Sequence, residues 1–189
     1  GLVGSEMCIR DRSETITAVN DAPVVVSGTT SLAAINEDTT NPSGDTIGAL
    51  FGTSTNFSDA TDAVTGGSSA NTFLGIAISS YTVDATKGNW QYSTDNGANW
   101  TSLVSASTSA AILLNSADKL RFVPAANYNG SATALSANLI ESGYGSITSG
   151  STTNLTGATG GTTRISSGVV ALSETITAVN DAPVVVSGT

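Results

Sequence analysis

Apolar positions along the chain fall in short runs separated by turn residues, and none reaches the ~18 residues that a membrane-spanning helix needs. Residues 73–83 (FLGIAISSYTV) mix apolar and small polar side chains, and residues 89–93, 98–104, 110–114 and 119–123 form further short runs. Thr94-Asp95-Asn96-Gly97 separates residues 89–93 from 98–104. Asn and Gly both tolerate positive φ, so this spacing predicts a β-hairpin. Residues 131–140 read as a strand, with a short helix as the alternative. Within residues 169–179, Val170, Leu172, Ile176 and Ala178 share one face at period two, the spacing of a strand. Strands recurring every ~8–12 residues with turns between them predict an all-β, antiparallel β-sandwich. Residues 53–70 and 143–161, rich in Gly, Ser, Thr, Ala and Asn, are long for loops in a compact domain. Surface hairpins of low hydrophobicity and mobile insertions both fit them.

Composition agrees with this pattern. Ser and Thr together number 55 and Gly 20 of 189 residues, a mixture at home on pleated surfaces and in bends. The 15 acidic residues against 6 basic ones give a formal net charge of −9. Such a surface repels phosphate backbones and anionic membranes, which argues against nucleic-acid partners. It suits a hard divalent cation held by carboxylates. With no His, and with Cys8 the single Cys, oxygen ligands are the remaining route to a tight metal site.

An internal repeat sets the architecture. Residues 13–29 and 173–189 both read SETITAVNDAPVVVSGT, identical at all 17 positions with an offset of 160. The pattern is that of a piece of a tandem array, in which each ~160-residue unit is too long for a solenoid repeat and needs its own core. The expected division is residues 13–23 as the end of a preceding repeat plus linker, 24–183 as one complete repeat, and 184–189 as the start of the next. Residues 1–12 (GLVGSEMCIRDR) hold the only Cys and Met and two of the six basic residues. They resemble translated sequencing-adapter sequence and lack the pattern of a signal peptide.

AVNDAPV (18–24 and 178–184), INEDT (35–39), FSDATD (57–62), GNWQYSTDNGANW (88–100) and LRFVPAANYNG (120–130) occur in that order. Together they resemble the cadherin-like and VCBS-type repeats of large type I-secreted bacterial adhesins. The resemblance implies an immunoglobulin-like or cadherin-like sandwich and an extracellular or cell-surface location. It also implies calcium at the junctions between neighbouring repeats of the same chain. The chain departs from the fuller cadherin linker, which carries Asp where Ala18 and Ala178 stand, and it lacks the mid-domain Asp-Arg-Glu. One or two ions per junction are therefore expected, not three.

Candidate calcium ligands are Asn20, Asp21, Glu37, Asp38, Asp59, Asp62, Asn180 and Asp181. Asn20-Asp21 and Asn180-Asp181 each place an amide oxygen beside a carboxylate, and Pro23 or Pro183 stiffens the following chain. By the resemblance, Glu37 reaches towards Asn180 and Asp181. Asp59 and Asp62 lie in a turn-like segment, where capping of local backbone is the competing reading. Trp90, Tyr92 and Trp100 flank the hairpin, as core residues or as a stacking platform for a glycan. Tyr128, in Asn127-Tyr128-Asn129-Gly130, resembles a tyrosine corner whose hydroxyl bonds nearby backbone. Without His there is no ordinary Ser-His-Asp triad, and neither Lys87 nor Lys119 sits in a catalytic motif. The chain is expected to be no enzyme but a structural, adhesive spacer stiffened by calcium, with a carbohydrate-binding module as the alternative. A hydrolase would need a concave carboxylate pair with a raised pKa.

Overall fold

The computed structural model describes residues 17–65, 68–183 and 185. Residues 1–12, the adapter-like segment, lie outside the described residues, as does most of 184–189. The fold is all-β, with strands over 40% of the described residues and helix over 7%. The strands are β1 (Val24–Val25), β2 (Thr29–Ser31), β3 (Ile35–Asn36), β4 (Asp45–Thr46), β5 (Phe57–Ser58), β6 (Phe73–Tyr81), β7 (Gly88–Ser93) and β8 (Thr101–Ser102). They continue with β9 (Ala111–Asn115), β10 (Lys119–Pro124), β11 (Gly130–Ser131), β12 (Leu135–Glu141), β13 (Thr152–Thr153), β14 (Ile165–Ser173) and β15 (Thr175–Thr177). A five-residue helix, α1 (Ile47–Phe51), begins where the Thr46 hydroxyl accepts from the Ala49 N–H and caps the first turn.

Four sheets result: a six-stranded one ordered β13-β9-β6-β12-β14-β2, a four-stranded one ordered β4-β10-β7-β8, a three-stranded β11-β15-β3 and the pair β1-β5. All pairings are antiparallel except two. The early strands β2 and β3 run parallel to the late strands β14 and β15.

The core lies between the two larger sheets. Ile76, Ile78, Leu114, Leu135, Leu139, Val170 and Leu172 from the six-stranded sheet meet Trp90, Leu120 and Phe122 from the four-stranded one. Ile47, Leu50 and Phe51 of α1 join them. Trp90 and Phe122, paired across β7 and β10, meet edge to face with centroids 5.2 Å apart. The six-stranded sheet buries its other face as well. Ala77, Ala111, Leu113, Ile140 and Ile165 are covered by Leu155, with Tyr144 and Ile147 packed beside it.

The strand reading holds for residues 73–81, 88–93, 111–115 and 119–124, and residues 135–141 are strand, so the helical alternative there is excluded. The hairpin is present, with Asn96 at φ 60° and Gly97 at φ 95°. Its return strand is only two residues long, because Trp100 folds back onto the turn to donate its Nε1–H to the Gly97 carbonyl at 3.0 Å. The inward face of β14 and β15 carries Val170, Leu172 and Ile176, whereas Ala178 is exposed because β15 ends at Thr177. The two loose stretches are structured where described. Residues 53–65 hold β5 and the 3-10 turn Ala60–Asp62, and residues 143–161 hold β13 and the buried Leu155. Tyr128 donates its hydroxyl to the Ser131 carbonyl at 2.6 Å, so the expected bond to nearby backbone is made, but three residues downstream and not upstream as in a tyrosine corner. Among the described residues, no helix is long and apolar enough to cross a membrane.

Candidate functional site

The first Asn-Asp-Ala-Pro linker is docked onto the domain that follows it. Asn20 donates its Nδ2 to the Thr163 carbonyl at 3.0 Å, and its Oδ1 accepts from Asn71 Nδ2 at 3.2 Å and from Arg164 Nη1. The Asp21 N–H donates to Asp62 Oδ1 at 2.9 Å, and the Ala22 N–H to the Gly161 carbonyl at 2.7 Å. Pro23, with no N–H to satisfy, is buried behind them.

Beneath this linker lie three carboxylates. Asp59 precedes and Asp62 ends the 3-10 turn Ala60–Asp62, where residues three apart eclipse and so point the same way. Glu141 arrives from the end of β12, just past a register shift that breaks the regular alternation. One oxygen of each lies within 4.8 Å of the others. Asp59 and Asp62 are 4% exposed and Glu141 0%. Asp59 Oδ2 accepts the Asn71 N–H, and Glu141 Oε1 pairs with Arg164 Nη1 at 2.8 Å. Asp59 Oδ1 and Glu141 Oε2 are buried with no hydrogen-bond partner. Burial pushes the Glu141 carboxyl above its usual range, the Arg164 and Asn20 contacts oppose this, and the Asp59 charge adds to it.

This arrangement fits a hard cation. Three carboxylates face one guanidinium, so when all are ionised two negative charges are uncompensated in a buried site. Two orphaned carboxylate oxygens would cost free energy without a partner, and a divalent ion supplies one. The donors are all oxygen, as calcium prefers. Of the sequence candidates, Asn20, Asp59 and Asp62 are thus brought together, and Asp21, an exposed residue, joins them through its backbone N–H. Glu141, Asn71 and Arg164 were not foreseen. The only signal for Glu141 was a lone acid closing the run ALSANLIE, while Asn71 and Arg164 carried none.

The remaining candidates gather at the second linker. Glu37 Oε1 accepts the Val179 N–H at 2.6 Å and Oε2 accepts Asn129 Nδ2 at 3.1 Å. These bonds, that from Val179 first, hold the Glu37 carboxyl below the ordinary range. Glu37 therefore grips the chain one residue before Asn180. Asp38, Asn180 and Asp181 are exposed, and the side-chain bond made by Asn180 runs to the carbonyl of its own neighbour, Asp181, at 3.3 Å.

The three aromatics do not form one platform. Trp90 is fully buried and donates its Nε1–H to the Thr133 carbonyl at 2.8 Å, so no sugar reaches it. Tyr92 packs half-buried against the main core. Trp100 alone keeps a partly open indole, with the Arg121 guanidinium 4.0 Å from its ring centre. No family model matches the chain, and no curated protein or solved structure matches it either.

Proposed function

We propose that this chain is a structural repeat of a secreted or cell-surface adhesin, an immunoglobulin-like β-sandwich whose junctions are stiffened by calcium. The observation that carries the reading is the docking of the repeated linker directly over the buried Asp59–Asp62–Glu141 cluster. Binding calcium there neutralises the carboxylates and ties linker to domain, and removing it leaves like charges facing one another.

The fold supports the same reading. The two main sheets share one core, and the first strands pair in parallel with the last ones. β14 and β15 run on with only Glu174 between them. At ~3.3 Å per residue, residues 165–177 span roughly 40 Å. The first linker bonds Thr163 and Arg164 at one end of this stretch, and the second leaves after Thr177 at the other. A unit with its linkers at opposite ends of its longest strand propagates an extended array. In that array the exposed Asn180-Asp181 meets the acidic cluster of the next repeat, while Glu37 and Asp38 approach from the preceding one.

An active site for hydrolysis is disfavoured, because Asp59 Oδ1 and Glu141 Oε2 are buried and closed to a substrate. Thermal melting in EDTA, calcium and magnesium tests the proposal. Extracellular modules bind calcium at ~10⁻⁴ to 10⁻³ M. At ten times the dissociation constant, calcium adds about 1.4 kcal/mol, or about 3–6 °C in a domain of this size. Asp59→Asn and Glu141→Gln should each abolish the calcium-specific rise. A melt indifferent to calcium, or one in which these variants respond like the parent, removes the proposal.

A further inference from the structure

Away from the linkers, a cavity of about 190 Å³ opens between residues 41–43 and the β7–β8 hairpin, lined among others by Asn41, Ser43, Asn96, Trp100, Lys119 and Arg121. Two features set it apart. Of the six basic residues, Arg10 and Arg12 lie outside the described part, so this one cavity holds two of the remaining four. In a chain of net charge −9 this is a local reversal of sign.

The second feature is Arg121 itself. It is 7% exposed, yet it has no carboxylate partner, and the one ion pair among the described residues joins Arg164 to Glu141. Its donors go to neutral oxygens: Nε and Nη2 to Gln91 Oε1 at 2.9 and 2.7 Å, and Nη1 to Asn41 Oδ1 at 2.5 Å and the Pro42 carbonyl at 3.1 Å. These bonds hold the guanidinium in place without cancelling its charge. Buried charges are ordinarily paired, so one that meets only neutral oxygens and the Trp100 ring, 4.0 Å away, still attracts an anion from the cavity beside it. Lys119, two residues along β10 and therefore on the same face of the strand, adds a second charge that is likewise without an acidic partner.

We infer that this cavity binds the oxyanion of an acidic saccharide unit, a carboxylate or sulfate, against Lys119 and Arg121 with the sugar ring beside Trp100. The half-buried indole offers an apolar wall, and the amides of Asn41 and Asn96 and the hydroxyl of Ser43 are hydrogen-bonding groups of the kind sugar hydroxyls use. A cavity of about 190 Å³ holds one such unit, with the rest of a longer saccharide outside it. This gives the repeat an adhesive contact of its own, independent of calcium at the linkers.

The test is titration of the full chain with a uronate oligosaccharide, a sulfated one, their neutral counterpart, and inorganic sulfate or acetate alone. Indole fluorescence reports on Trp100, with Trp100→Phe as the spectroscopic control, and amide shifts at Lys119 and Arg121 locate the ligand. The expected result is binding of an acidic oligosaccharide but not of the neutral one, weakened about tenfold by Lys119→Gln in a protein whose melting is unchanged. Equal binding of the neutral sugar overturns the role of the oxyanion. Equal binding of the free anions overturns the role of the sugar. No binding by any of them at millimolar concentration, or full binding by Lys119→Gln, overturns the site.

Discussion

Glu174 shows how a single residue is governed by strand geometry. Successive side chains alternate across a sheet, so between Leu172 and Ile176, both buried, residue 174 must also point inward. It is 4% exposed and its Oε2 has no partner. Burial raises its carboxyl to about 7, against a partly opposing backbone bond from Phe122. The folded state therefore keeps a proton that the unfolded chain has already lost between about pH 4.5 and 7. Stability from this group is present below that window and falls as pH rises through it. Glu174→Gln should flatten this slope, raising the melting temperature more at pH 8 than at pH 5. An equal effect at both pH values would show that Glu174 titrates normally. Phe122 gives the contrasting case of an apolar inward residue. Packed fully buried against Trp90, its replacement by Ala should cost about 3–5 kcal/mol in urea unfolding.

At the scale of elements, the segment 143–161 is informative because its composition hid its role. Its few apolar residues, Tyr144, Ile147 and Leu155, are what cover the second face of the six-stranded sheet. The loop is anchored by Asp118, which accepts from Ser149 Oγ and from the Asn115 N–H at 2.7 Å. The Leu155 N–H also donates to the Thr108 carbonyl at 2.8 Å. Leu155→Ala should destabilise the domain by about 2–5 kcal/mol and expose residues 145–160 to limited proteolysis. Unchanged stability with an intact loop would mean the cover contributes little. A sequence pattern reports a face only where apolar residues are spaced regularly. Here three residues in nineteen close a face whose other half lies on distant strands.

At the scale of the whole molecule, one 17-residue sequence occurs in two environments. The linker of the first copy is held by Asp62, Asn71, Thr163 and Arg164, whereas residues 180–183 of the second are exposed. The difference lies in the partners: Asp62, Asn71, Thr163 and Arg164 hold the first linker, and among the described residues none of them reaches the second. A longer chain in which residues 30–189 are repeated once after residue 189 supplies those partners. Small-angle scattering of it should give a longer and narrower distance distribution in millimolar calcium than in EDTA. Identical curves would refute stiffening by the ion.

The repeat, the alternation of most strands, the hairpin and the oxygen-rich linkers were all legible in the amino-acid sequence. Each of these rests on residues adjacent in the chain, whose geometry short-range backbone preferences decide. The sequence also placed Asn20, Asp21, Asp59 and Asp62 among the candidates, because carboxylates and amides in turns are visible one segment at a time. That these converge with Glu141 and Arg164, 79 to 144 residues further on, and that Trp90 is core while Trp100 is partly open, followed from the tertiary fold alone. Convergence of that kind depends on how sheets pair and close on one another, which the local pattern of residues adjacent in the chain does not encode.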